Sequence, residues 1–136
     1  MNFKKTNVPT FIQISNTAHS GKTKELYSSF LAQNEKRSLF VTTEESIERL
    51  CDLYGKPSCG TVCECWVEDS ESLDKIVNFI ESGDYTDIYI DNFNLLLSKN
   101  ENLQSELFDL RTGAHHNNVN VTITLLINES PNEWRK

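Results

Sequence analysis

The chain has 136 residues, 38% hydrophobic and 24% charged, which suits one domain around one core and leaves no room for a second full domain. Lys and Arg number 13 against 20 Asp and Glu, a formal net charge of −7, so a surface that tracks nucleic-acid phosphates or anionic lipid is not expected. No apolar run approaches the roughly 20 residues of a membrane span, and MNFKKTNVPTF lacks a signal-peptide apolar stretch; an intracellular, cytoplasmic protein with no membrane partner is the expectation.

In chain order, Thr10 to Ser15 reads as an apolar strand and Gly21 to about Asn34 as a helix. Arg37 to Thr42 (RSLFVT) supplies a second strand and Glu45 to Tyr54 a second helix, which Gly55-Lys56-Pro57-Ser58 breaks. Thr61 to Val67 makes the third strand. Asp69-Ser70-Glu71-Ser72 then caps a helix that carries Leu73, Ile76, Val77 and Ile80 at helical spacing, and Gly83 stops it. Thr86 to Asp91 is the fourth strand, Glu101 to Thr112 a helix with Leu103, Leu107 and Leu110 on one face, and Val119 to Ile127 the fifth strand. Residues 1–9 and 129–136 have no periodicity and read as loose termini. Regular alternation of strand and helix predicts a single α/β domain, a three-layer sandwich around a mainly parallel five-stranded sheet.

Cysteines stand at 51, 59, 63 and 65. Alternation in TVCECWVED directs Cys63, Cys65 and Val67 to one side of a strand, so buried, reduced core thiols are expected. A zinc site of Cys59, Cys63 and Cys65 with His115 or His116 fits less well, because C-x-x-x-C-x-C lacks the usual paired spacing; two disulfides are the secreted alternative.

The chemistry starts at Ser20-Gly21-Lys22-Thr23, between the first strand and the first helix. A phosphate-binding loop is written G-x-x-x-x-G-K-[ST], and the spacing puts Asn16 where its first glycine belongs. Asparagine tolerates the left-handed region, so the turn is still possible. Backbone N–H groups from His19 through Thr23 would then converge on phosphate, Lys22 would neutralise the outer phosphates, and the Thr23 hydroxyl would reach magnesium. The competing reading is an ordinary polar turn between strand and helix. A second magnesium-holding group is the carboxylate of Asp91, at the end of DIYID, where ligands bind in parallel sheets; the competing reading is a turn built on Asp91-Asn92. In FVTTEES, residues 40–46, an apolar strand ends in two threonines and two glutamates; Thr43 as a helix cap, with Glu45 and Ser46 in the first turn, needs no catalysis.

FVTTEES also resembles the second strand of the RecA-like P-loop ATPases, above all the KaiC and RadA branch, whose members carry a similar V-T-x-E-E-S there. The resemblance covers residues 10–128 in motif order: phosphate loop, glutamate strand, intervening strand, Asp91, and a last strand ending Leu126-Ile127-Asn128. It implies a RecA-like domain with ATP and magnesium as cofactors. Glu44 would polarise the attacking water with Glu45 as helper or substitute, and Asn128 would sense phosphate. Departures are Asn16 in place of glycine, His19 at a position usually kept small, and no segment that reads as a DNA-binding loop, a subunit linker or an arginine finger; Arg111 and Arg135 are the only late arginines. The leading expectation is a small ATPase that turns over slowly until self-association or a partner completes its site. The alternatives are a degenerate nucleotide-binding or interaction module that regulates another ATPase and, more weakly, a small-molecule kinase.

Overall fold

The computed structural model describes residues 9–16, 21–32, 37–66, 69–97 and 101–126. In chain order these form β1 (Phe11–Asn16), α1 (Lys22–Ala32), β2 (Ser38–Thr42), α2 (Ile47–Tyr54), β3 (Thr61–Glu64), α3 (Ser72–Glu81), β4 (Asp87–Ile90), a single 3-10 turn (Phe93–Leu96), α4 (Leu103–Asn117) and β5 (Asn120–Leu126). The strands make one sheet in the order β1-β5-β4-β2-β3, and every neighbouring pair is parallel. The sheet is therefore wholly parallel rather than mainly so.

Parallel neighbours need crossover connections, and right-handed crossovers decide which face each helix covers. The chain moves outward from β1 to β2 to β3, then returns through β4 to β5, so α1 and α2 lie on one face and α3 and α4 on the other. Side-chain alternation feeds both layers. Phe40 of β2 and Tyr89 of β4 pack with Leu26, Tyr27 and Phe30 of α1 and Leu50 of α2. Leu39, Val41, Ile88, Ile90, Val121 and Ile123 point the other way, against Ile76, Ile80, Leu107, Leu110 and Ala114. With both faces covered, SLFVT of β2 is buried throughout, which is why it reads as a continuous apolar run. Tyr27 keeps its polar end satisfied by donating to the Gly55 carbonyl at 2.9 Å, at the end of α2. Among the described residues no helix is long and apolar enough to cross a membrane.

Element ends depart from the sequence reading where tertiary contacts compete with local ones. Helix α2 begins at Ile47 because Ser46, not Thr43, caps it: the Ser46 hydroxyl accepts from the Arg49 N–H at 3.1 Å. Glu45 thus precedes the helix. Strand β3 stops at Glu64, paired with the last residue of β2, and one further bond from Cys65 N–H to the Thr42 carbonyl closes the ladder; Val67 lies outside the described residues. Helix α3 has Glu71 at its cap without a side-chain bond, while the Ser72 hydroxyl donates to the Trp66 carbonyl. Helix α4 starts at Leu103 after an Asn102 cap and runs through Gly113 to Asn117, five residues beyond the expected Thr112. Buried Leu107, Leu110 and Ala114 hold it to the sheet, and Asn118, at φ 58, supplies the left-handed end.

Gly60, just before β3, has a steric role. A Cβ built on it would lie 2.5 Å from Phe30 Cε1 and 2.7 Å from Cζ, and the Phe30 ring is locked in the aromatic cluster with Tyr27, Phe40 and Tyr89. Gly60→Ala is expected to destabilise the fold by about 1–3 kcal/mol in urea unfolding. Gly113→Ala is the contrast, since its Cβ would meet only Ile80 Cγ2 at 3.8 Å in a helix interior, and it should stabilise by about 0.5–1 kcal/mol.

Candidate functional site

The carboxyl ends of the strands bring together groups far apart in the chain. Strand β1 ends at Asn16 and α1 begins at Lys22, with Gly21 between them at φ 81, a conformation that favours glycine. His19, Ser20 and Asn128, and the side chain of Asn16, lie outside the described residues. Lys22 Nζ pairs with Glu25 Oε1 at 3.1 Å, one turn along the same helix; both side chains are partly exposed, so the pair adds little to stability.

Thr23 reaches the neighbouring elements. Its hydroxyl donates to Asp91 Oδ2 at 2.8 Å, joining two residues 68 apart in sequence. Asp91 follows the last residue of β4 and shares the strand face of Tyr89, two positions earlier, which directs it toward α1. It is only 1% exposed. Thr124 of β5 donates to Asp91 Oδ1 at 2.8 Å, and Thr43, at the end of β2, donates to the Asp91 carbonyl at 2.9 Å. Burial pushes the Asp91 carboxyl above the ordinary range; the bonds from Thr23 and Thr124 oppose that, and the nearby Glu44 and Glu45 reinforce it. No described Lys or Arg forms an ion pair with it.

The two adjacent glutamates part company here. Glu44, exposed, accepts a hydrogen bond from Asn92 Nδ2 at 2.7 Å, beside Asp91. Glu45 is held at α2: its carboxylate pairs with Arg49 Nε at 3.2 Å, and Thr42 Oγ1 accepts from its N–H and donates to its carbonyl. Thr124 carries no mark in the sequence, and Asn92 reads only as half of an Asp91-Asn92 turn. NVTITLL reads as ordinary β-forming alternation, and nothing local shows that Thr124 is buried against Asp91.

The remaining sequence candidates lie elsewhere. All four cysteines are free thiols, but only Cys65 is buried; Cys51, Cys59 and Cys63 are half-buried, which corrects the expectation of core thiols throughout. The Cys63 thiol is drawn down to about 7, chiefly by a hydrogen bond with Cys65 and aided by Lys75 against its own burial; that same bond and burial push Cys65 up. Among the described residues no three His, Cys, Asp or Glu side chains gather as metal ligands, so Cys59, Cys63, Cys65 and His115 or His116 do not form a zinc site. Arg111 stacks its guanidinium over Phe11, 5.4 Å from the ring centre, at the start of β1 and so at the opposite end of the sheet from Asp91.

What converges is a hydroxyl at a helix N-terminus, a buried carboxylate, a lysine on the same first turn and a second, accessible carboxylate. These are oxygen donors for a hard cation beside donors for an anion. No protein-family model and no curated protein matches the chain.

Proposed function

We propose that the chain is a small RecA-like P-loop protein that binds ATP with magnesium at the carboxyl end of its sheet and hydrolyses it slowly. The observation that carries this reading is the 2.8 Å hydrogen bond from Thr23 to Asp91. It pairs the first-turn hydroxyl of α1 with a carboxylate that is buried, faces two further carboxylates and has no cationic partner among the described residues. Such a carboxylate is costly in an ordinary turn and apt beside a divalent cation.

The donors fit that cation. Magnesium takes oxygen ligands and few of them from protein, with water and substrate phosphates completing its shell, so one hydroxyl and one carboxylate suffice. When bound, it would neutralise charge between the outer phosphates. Thr23 and Asp91 are the residues that would hold it. Lys22 and the N-terminal N–H groups of α1 would bind the phosphates, which requires Lys22 to exchange Glu25 for substrate. Thr124 keeps Asp91 turned toward Thr23. Glu44 is the carboxylate free to orient water, Glu45 being tied to Arg49. Among the described residues Arg111 lies at the far end of the sheet and Arg49 is paired with Glu45, so a finger supplied by self-association or a partner would account for slow turnover; Arg135 lies outside the described residues.

Calorimetric titration of ATP, with and without magnesium, tests the reading. The wild type should bind, and magnesium should tighten binding. Lys22→Ala should weaken affinity at least ~10-fold with an unchanged melting temperature, since the lost charge-assisted bonds to phosphate involve no core residue. Retained affinity in the variant would overturn the phosphate cradle. No binding by the wild type would make the chain a nucleotide-blind interaction module.

A further inference from the structure

The turn after β4 is built around a residue that the phosphate-binding reading does not use. Asn92 sits at φ 49 and ψ 51, the left-handed region, and is 4% exposed. That conformation sends its two donors in different directions. Its backbone N–H donates to Thr124 Oγ1 on β5 at 2.7 Å, and its side-chain amide donates to Glu44 Oε1 beyond β2 at 2.7 Å. A left-handed turn by itself would be satisfied by glycine or aspartate, neither of which supplies an amide donor. Glu44 is exposed, and an untethered glutamate keeps rotamer entropy that fixing it must overcome. The Asn92 amide is the tether. It occupies Oε1, and Oε2 accepts no hydrogen bond from a described residue.

We propose that Asn92 is a positioning residue that holds Glu44 in the orientation needed to act on water, and that this contact is what selects Glu44 over Glu45. The assignment rests on the nucleotide reading above. In the step it serves, the water oxygen bonds to the terminal phosphorus as the bond from phosphorus to the bridging oxygen breaks. ADP leaves with that electron pair, and the proton from water passes through Glu44 Oε2 to the released phosphate. Thr124 anchors the near side of Asn92, so one rigid turn connects the residue holding Asp91 to the residue holding Glu44.

Two variants suit the left-handed backbone and remove the amide donor to Glu44: Asn92→Gly, which also gives up the 3.4 Å contact of Asn92 Oδ1 with Thr124 Oγ1, and Asn92→Asp, which keeps an acceptor for Thr124 and sets a carboxylate against Glu44. Both should bind MgATP within about 3-fold of the wild type, with KM little changed and kcat down roughly 10-fold to 100-fold, as expected for a misplaced catalytic group. The double variant Asn92→Gly with Glu44→Gln should be no slower than Glu44→Gln alone, because the two act as one unit. A readout independent of turnover is the side-chain amide NMR signal of Asn92 in nucleotide-free protein, which Glu44→Ala should shift. An unmoved amide signal, a wild-type rate in Asn92→Gly, or additive losses in the double variant would overturn the assignment while leaving the nucleotide reading intact. Absence of MgATP binding by the wild type would overturn both, whereas binding without any hydrolysis would overturn the assignment and leave the nucleotide site.

Discussion

Glu44→Gln should retain MgATP affinity and lose hydrolysis by roughly 100-fold to 10,000-fold, the usual contribution of a carboxylate that acts mainly in the transition state. The substitution is close to isosteric. The glutamine carbonyl still accepts from the Asn92 amide that bonds Glu44 at 2.7 Å, so the turn after β4 and the ties among Asp91, Thr23 and Thr124 stay in place. What disappears is the second carboxylate oxygen, the one free to receive a proton. Glu45→Gln is the comparison. It breaks only an exposed pair with Arg49 at 3.2 Å, worth about 0–1 kcal/mol, and should leave the rate within a few-fold of the wild type. Single-turnover hydrolysis measured beside calorimetric affinity separates the cases. A loss in Glu45→Gln with none in Glu44→Gln would exchange the two roles.

These neighbours show where sequence reading stops. Thr23 and Asp91 were legible because each belongs to a short motif tied to a strand end, and a strand end can be recognised from an apolar run closing in polar residues. Their meeting was not, since it depends on strand order, which alternation alone does not determine. Inserting β5 between β1 and β4 is what sets Thr124 beside Asp91. Asn92 looked like turn chemistry and is, but its amide acts on a residue 48 positions away. Thr43 shows the same limit from the other side. Local preference makes it a helix cap, yet its hydroxyl is drawn to the Asp91 carbonyl, leaving the cap to Ser46 three residues later. The helix boundaries behave likewise. The sequence reads the last helix only to Thr112, but Ala114 is buried against the sheet and Asn118 closes the helix instead. The buried strands β2 and β4 were the most readable elements, because parallel strands covered on both faces need apolar residues at nearly every position.

Asp91→Asn should raise stability and impair function together. Burial holds the Asp91 carboxyl above its ordinary range despite two hydroxyl donors, and Glu44 and Glu45 add to the shift. A folded-state value above the unfolded one means that the native protein holds the proton more tightly. The favourable contribution is therefore complete below the unfolded value of about 3.9 and is lost as pH rises through the folded value. Burial disfavours the charged form, so above the folded value the Asp91 carboxylate costs the fold stability. Asparagine has the same shape without the charge: its carbonyl accepts from Thr124, and its amide donates to Thr23 once that hydroxyl rotates. In magnesium-free buffer at pH 7 the variant should melt above the wild type, with the gap closing as the pH falls toward 4. ATP affinity without magnesium should hold, while the tightening produced by magnesium should shrink roughly 10-fold or more, as expected when a residue that orients a metal is lost. A substitution that stabilises a protein while weakening its ligand marks a residue kept for function rather than for the fold. If Asp91→Asn instead melts lower at neutral pH and binds MgATP as the wild type does, the buried carboxylate belongs to the architecture of the turn, and Thr23 is its partner there and not on a metal.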